Sequence, residues 1–270
     1  MAGDITHFSM IGFALDTHDG AALLRSAQTH LQAAEARELV RCEPALPGGG
    51  TQICVIRDGS GAELWYGLRS DDRGAEIITL NPAFVGESRM KLRVDADVSE
   101  PEWKPFEVTV SARFAGDEVP VVFDLADPQQ ATIAKAGTEV TVSMAAFSYE
   151  PNLYRDEKAY VAAQKKAGQK FTFAPNMYIP TGTFLEKVGG AMPDNAKLPT
   201  PYADFAGTIL KASFKTSSAG GGQFWSLLVR TYADATVDVV IDPQSVKLEP
   251  KPGYIVQGRF WLTGHIVPPS

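Results

Sequence analysis

Residues 253–266 read Gly253-Tyr-Ile-Val-Gln-Gly-Arg-Phe-Trp-Leu-Thr-Gly-His-Ile266. Tyr254, Val256, Phe260, Leu262 and Ile266 are apolar and share even parity, so one face of a long strand is apolar along its length. The opposite face carries Gln257, Arg259, Trp261, Thr263 and His265. Gly258 and Gly264 can bend a strand of this length.

Three further strand-like segments precede it, at 205–215, 223–232 and 236–242. They are separated by Ser217-Ser-Ala-Gly-Gly-Gly222, by Ala233-Asp234 and by the stretch 243–253. Trp225, Leu227 and Val229 form the apolar side of the second segment. Val237, Val239 and Ile241 form that of the third. In 205–215 the even positions are apolar and Lys211, Ser213 and Lys215 point away. The outward face then gathers Lys211, Lys215, Arg230, Tyr232, Arg259, Trp261 and His265. Aromatics mixed with cations can stack on bases or sugars, or anchor a protein partner. The competing reading is that the rest of the chain covers this face.

Upstream, residues 6–16 read as a first strand. Thr17 or Asp19 then caps a helix through about Ala36, with Ala22, Leu23, Ala27, Leu31 and Ala34 at helical spacing. Strands follow at 39–43, 51–57 and 62–69, the last two flanking the turn Asp58-Gly-Ser-Gly61. Another runs over 76–80 and ends at Asn81-Pro82. Four more lie at 89–95, 106–114, 118–125 and 138–147. Residues 152–167 read as a second helix stopped by Gly168. A Pro- and Gly-rich connector spans 171–204. The pattern is α+β: mostly antiparallel β with two main helices. It divides into an acidic α+β domain (1–150), a helix and connector (151–204), and a small β-barrel (205–270).

The C-terminal part resembles an OB-fold barrel. The resemblance is carried by Phe205-Ala-Gly-Thr-Ile-Leu210, Phe224-Trp-Ser-Leu-Leu-Val-Arg-Thr231, Val237-Asp-Val-Val-Ile-Asp-Pro243 and Gly253 to Leu262. It implies a ligand face for oligonucleotide, oligosaccharide or protein. The same stretch also looks like bacterial proteins that imply no particular activity.

The chain has 270 residues and a formal net charge of −7. Its 44% hydrophobic content is too high for intrinsic disorder. Residues 1–150 hold 12 Lys plus Arg against 23 Asp plus Glu, net −11. Residues 151–270 hold 13 against 9, net +4. The acidic part argues against nucleic-acid binding, and the argument is weaker for the barrel. Opposite signs favour docking of the two parts, or association of copies as a homo-oligomer. Cys42 and Cys54 fit no metal-ligand spacing and read as buried free thiols, with a disulfide across neighbouring strands as the alternative. No apolar run is long enough to span a membrane. These features together read as a cytoplasmic protein.

Motifs with chemistry are few. Asp16-Thr-His18-Asp19 is the densest set of metal-ligand types, at a strand-to-helix turn where capping is the plainer role. Gly253 to Arg259 imitates a phosphate loop but has Arg259 and Phe260 where Lys and Ser or Thr are needed. Asp95-Ala-Asp-Val-Ser99 starts like a calcium loop, and Glu100 stands where the turn needs Gly. Glu63, Asp71, Asp72 and Glu76 crowd one hairpin. A paired-carboxylate site is conceivable there, but solvated charges are the plainer reading. The expected function is a non-enzymatic binding or scaffold protein, with no cofactor and a protein or oligosaccharide partner. The alternatives are a metal-assisted enzyme using Asp16, His18 and Asp19, and single-stranded nucleic-acid binding by the barrel.

Overall fold

The computed structural model describes residues 5–15, 19–45, 50–72, 74–148, 150–168, 172–183 and 198–268. Among the described residues, two α-helices and two sheets carry the chain. Helix α1 spans Gly20–Glu35 and α2 spans Glu157–Lys166. Asp19 and Asp156 cap them, each accepting a hydrogen bond from the backbone N–H three residues on.

The first sheet has the order β1-β2-β3-β4, all antiparallel, from Val40–Pro44, Thr51–Arg57, Ala62–Asp71 and Gly74–Phe84. The second has ten strands. They are Met90–Asp97 (β5), Thr109–Phe114 (β6), Pro120–Leu125 (β7), Glu139–Phe147 (β8) and Asn152–Tyr154 (β9), then Tyr178–Ile179 (β10), Tyr202–Thr216 (β11), Gln223–Arg230 (β12), Thr236–Ile241 (β13) and Ile255–Val267 (β14). Their order is β10-β11-β12-β13-β8-β5-β6-β7-β14-β9, and β14 also pairs with β11 and β8. The fold is thus mostly antiparallel β with two helices, and among the described residues pairing is parallel only at β13–β8 and β14–β7. Strands from both sides of residue 150 share the large sheet, a wider pairing than the 205–270 resemblance implies. Among the described residues, no helix is long and apolar enough to cross a membrane.

The even face of β14 behaves as its alternation requires. Val256, Phe260, Leu262 and Ile266 are buried in the main core. They meet Leu92, Val110, Phe123, Val142, Phe205, Leu227 and Val239 from seven other strands there. A second core lies between the sheets. It joins Ala27, Leu31 and Ala34 of α1 to Cys54, Ile56, Leu64 and Tyr66 of the small sheet and to Phe147, Phe224 and Val240 on the outer side of the large one. Helix α2 packs Tyr160 onto Ala206 and Ile255.

A buried carboxylate fixes the passage from β4 to β5. Asp238 on β13 accepts hydrogen bonds from the backbone N–H groups of Glu87 (3.3 Å) and Ser88 (2.8 Å). Gly86 makes that approach feasible, because a Cβ there would lie 2.2 Å from the Asp238 carboxylate.

Three expectations are corrected. Residues 6–15 form no extended strand. Ser9–Ile11 is a 3-10 turn, and Thr6 and Ser9 exchange side-chain and backbone hydrogen bonds that compete with strand pairing. Strand β4 does not end at Asn81-Pro82 but runs on to Phe84, with Pro82 opposite Leu64. An edge strand tolerates the missing donor. Cys42 and Cys54 are not free thiols. Register pairs them directly across β1 and β2, and they form a disulfide with Cα atoms 4.0 Å apart. Thiol titration of denatured, unreduced protein should therefore find no free thiol, and two free thiols would contradict the bridge.

Candidate functional site

The seven residues expected on the outer face of the C-terminal strands separate into groups. Lys211 is exposed and pairs with Glu87. Lys215 donates to the Ser60 carbonyl at 2.7 Å and lies 4.9 Å from the centre of the Phe84 ring. Arg230 stands 4.0 Å from Asp234, both exposed. Tyr232 donates to Asp117 Oδ2 at 2.5 Å and meets Phe114 edge-on. Arg259 grips Asp204 through two hydrogen bonds of 2.8 and 3.3 Å. Trp261 and His265 are brought together along the seam between the sheets, and Lys215 reaches the small sheet at a separate point. In the region of the expected metal turn, Asp19 serves as the α1 cap, while Asp16 and His18 lie outside the described residues.

The seam is built by parity. Glu63, Trp65 and Gly67 on β3, and Thr79, Asn81 and Ala83 on β4, share the odd face of the small sheet. Trp261, Thr263 and His265 share the odd face of β14. Phe106 and Glu107, just before β6, and Asp124 on β7 complete the wall. Gly67 lets Phe106 approach, since a Cβ at 67 would meet the Phe106 ring and Thr79 Oγ1 at 2.5 Å. The result is a cleft of about 40 Å³ lined by Trp65, Asn81, Phe106, Glu107, Asp124 and Trp261. It continues into a wider space of about 240 Å³. The two share Glu107 and Asp124, and the wider one adds Trp103, Glu100 and Pro201. Trp103 is 42% exposed, so the wider space has an accessible aromatic wall.

Asp124 stands at the junction. Its Oδ1 accepts from the Thr109 hydroxyl at 2.5 Å and its Oδ2 from the Trp261 indole N–H at 2.7 Å. Burial pushes this carboxyl up to about 6 despite both donors, and the Glu107 charge adds to the rise. Asn81 donates to Glu107 Oε1 at 3.1 Å. The Trp261 ring stacks on His7, with centroids 4.9 Å apart. Burial lowers His7 to about 4, so its ring is neutral at pH 7.

The other end of the seam holds a buried ion network. Glu63 is fully buried and takes hydrogen bonds from Arg57, Trp65 Nε1 (2.8 Å) and His265 Nε2 (2.8 Å). Burial pushes Glu63 up, but His265 first, then Arg57 and Trp65, more than offset that and hold it below the usual range. The reading of Glu63 as a solvated hairpin charge is overturned, because its strand parity turns it toward β14.

Sequence reasoning found Trp261 but missed Asp124, Glu107 and Trp103. The only available signal was Thr109 and Asp124 in neighbouring strands with Glu107 in step, and sequence does not give that register. Among the described residues, no group of three or more His, Cys, Asp or Glu could hold a metal ion. The chain matches no protein-family model and no curated protein.

Two outcomes are expected. Glu63→Ala leaves three donors without their buried acceptor and should cost about 3 kcal/mol in chemical denaturation, whereas a loss under about 0.5 kcal/mol would contradict the network. Asp124 holds its proton more tightly folded than unfolded. Its contribution is therefore full below the ordinary Asp value and is lost as pH rises through about 6. Asp124→Asn should gain on the order of 1–2 kcal/mol over wild type between pH 4.5 and pH 8. Equal urea midpoint differences at the two pH values would show that the carboxyl is not perturbed.

Proposed function

We propose that the protein is a binding protein whose ligand is an oligosaccharide seated in the wider space of about 240 Å³ beside the seam. The observation that supports this most is Trp103, which is 42% exposed and shares that space with Glu100, Glu107 and Asp124. Flat indole faces match the C–H faces of a sugar ring. Fixed carboxylate and amide oxygens can accept from its hydroxyls, which suits a concave site with a few placed polar groups. The OB-fold resemblance of residues 205–270 implies a ligand of this class. An oligonucleotide fits less well. The charged side chains shared by the two spaces are carboxylates, which would repel phosphate. The cytoplasmic expectation also weakens, because a disulfide such as Cys42–Cys54 persists best in an oxidising compartment.

The test is calorimetric titration of the full chain with maltohexaose, cellohexaose, xylohexaose and chitohexaose. At least one should bind with a dissociation constant between about 1 µM and 1 mM. Trp103→Ala should weaken that binding at least about tenfold with an unchanged melting temperature, since the residue is exposed. Binding to none of the four, or binding indifferent to Trp103, would overturn the reading.

A further inference from the structure

We infer that the large sheet carries a second groove, a peptide-binding one, whose occupant is the chain's own segment Met10-Ile-Gly-Phe13. This groove is the counterpart, in the second half of the sheet, of the wider space that the first half keeps open. That holds whatever the wider space binds.

The counterpart follows from strand pairing. The sets β5-β6-β7-β8 and β11-β12-β13-β14 pair in the same way, residue for residue. Val94 faces Ala112 as Ile209 faces Val229, and a bulge follows at once in β5 and in β11. Thr109 faces Asp124 as Ser226 faces Val240. Leu92 faces Val140 as Gly207 faces Val256. Each set then pairs in parallel with the last strand of the other, Asp124 with Thr263 and Val240 with Phe147. After β7 and β13 the same triplet recurs, Asp127-Pro-Gln129 and Asp242-Pro-Gln244. Each Asp caps a 3-10 turn by accepting from the Gln backbone N–H, at 3.0 and 2.8 Å. A shared register, bulge and cap make the two sets versions of one unit.

The wider space lies against Glu107, Thr109 and Asp124 of the first unit, with residues 198–201, the run into β11, as its other wall. The same register puts Phe224, Ser226 and Val240 in the second unit, with 83–86, the run into β5, as the other wall. There the groove is full. Met10, Ile11 and Phe13 are buried in one apolar cluster with Phe84, Phe224 and Val240. The segment also docks by its backbone. The Gly222 N–H donates to the Gly12 carbonyl at 2.9 Å, and Phe13 bridges to Gly221. Gly12 is held closely, since a Cβ there would lie 2.7 Å from the Gly222 oxygen. Main-chain pairing with buried side chains is how a sheet holds a peptide. Wall chemistry explains why only this groove is filled. Phe224 and Val240 reward an apolar segment, whereas Glu107 and Asp124 at the matching positions would lose hydration under one.

The test uses the full chain with a protease recognition sequence inserted between Asp16 and Thr17, so that cutting removes the tether. The cut protein should keep a cooperative melting transition. A fluorescein-labelled peptide of residues 5–15 should exchange into it, with a dissociation constant between about 1 µM and 1 mM. An unlabelled Phe13→Ala peptide should compete at least about tenfold less well than the native peptide. In the uncut chain, the Phe13 and Gly222 amides should exchange with solvent together and faster than the Leu227 amide of β12, as release of the segment without unfolding requires. Loss of the cooperative transition on cutting overturns the assignment and makes the segment part of the core. A folded cut chain that takes up no peptide, equal competition by the two peptides, or one common exchange rate for the three amides overturns it as well.

Discussion

One strand sets the constraint on which the rest of the structure depends. β14 pairs with β7, β8, β9 and β11, so hydrogen bonding of a single segment ties both ends of the large sheet together. Its even side chains fill the main core. A one-residue slip would move them all to the other face, so the register is held by apolar burial. With that register fixed, the odd side chains have no freedom either. Trp261 must reach Asp124 and His265 must reach Glu63. The bond from His265 to Glu63 thereby fastens the small sheet to the large one, while that from Trp261 to Asp124 ties β14 to β7 within the large sheet.

These contacts explain why the seam is polar although it lies between two packed layers. A buried carboxylate is costly unless donors surround it. Glu63 is surrounded by three, from β2, β3 and β14. Asp124 has two. The first arrangement leaves its carboxylate satisfied and structural. The second leaves a carboxyl that burial still raises, at the wall of an open cleft.

Much of this was legible in the residues. Asp19 before a run of helical spacing gave α1, and the alternations at 223–232, 236–242 and 254–266 gave β12, β13 and β14 with their correct inner faces. What the alternation could not show was what covers the other face. Trp261 among cations looked like a surface feature because sequence does not reveal the small sheet opposite it. Glu63 looked solvated for the same reason. The Cys42–Cys54 bridge depends on the β1–β2 register, and the pairing of Asp124 with Thr109 on the β6–β7 register. Neither register can be read from local pattern. Residues 6–15 failed differently. Their apolar content suited a strand, but the Thr6 and Ser9 hydroxyls and Gly12 at φ 78° favoured a turn.

The central claim is that a sugar chain lies against Trp103 in the wider space beside the seam. The protein has four tryptophans, and Trp225 packs instead beside Phe214 at the β11–β12 hairpin. The most direct measurement follows the indole N–H resonances of all four during titration with a binding hexasaccharide. The signal of Trp103 should move along one saturation curve while that of Trp225 stays in place. Movement of Trp225 alone, or stillness of all four at saturating sugar, would contradict the account.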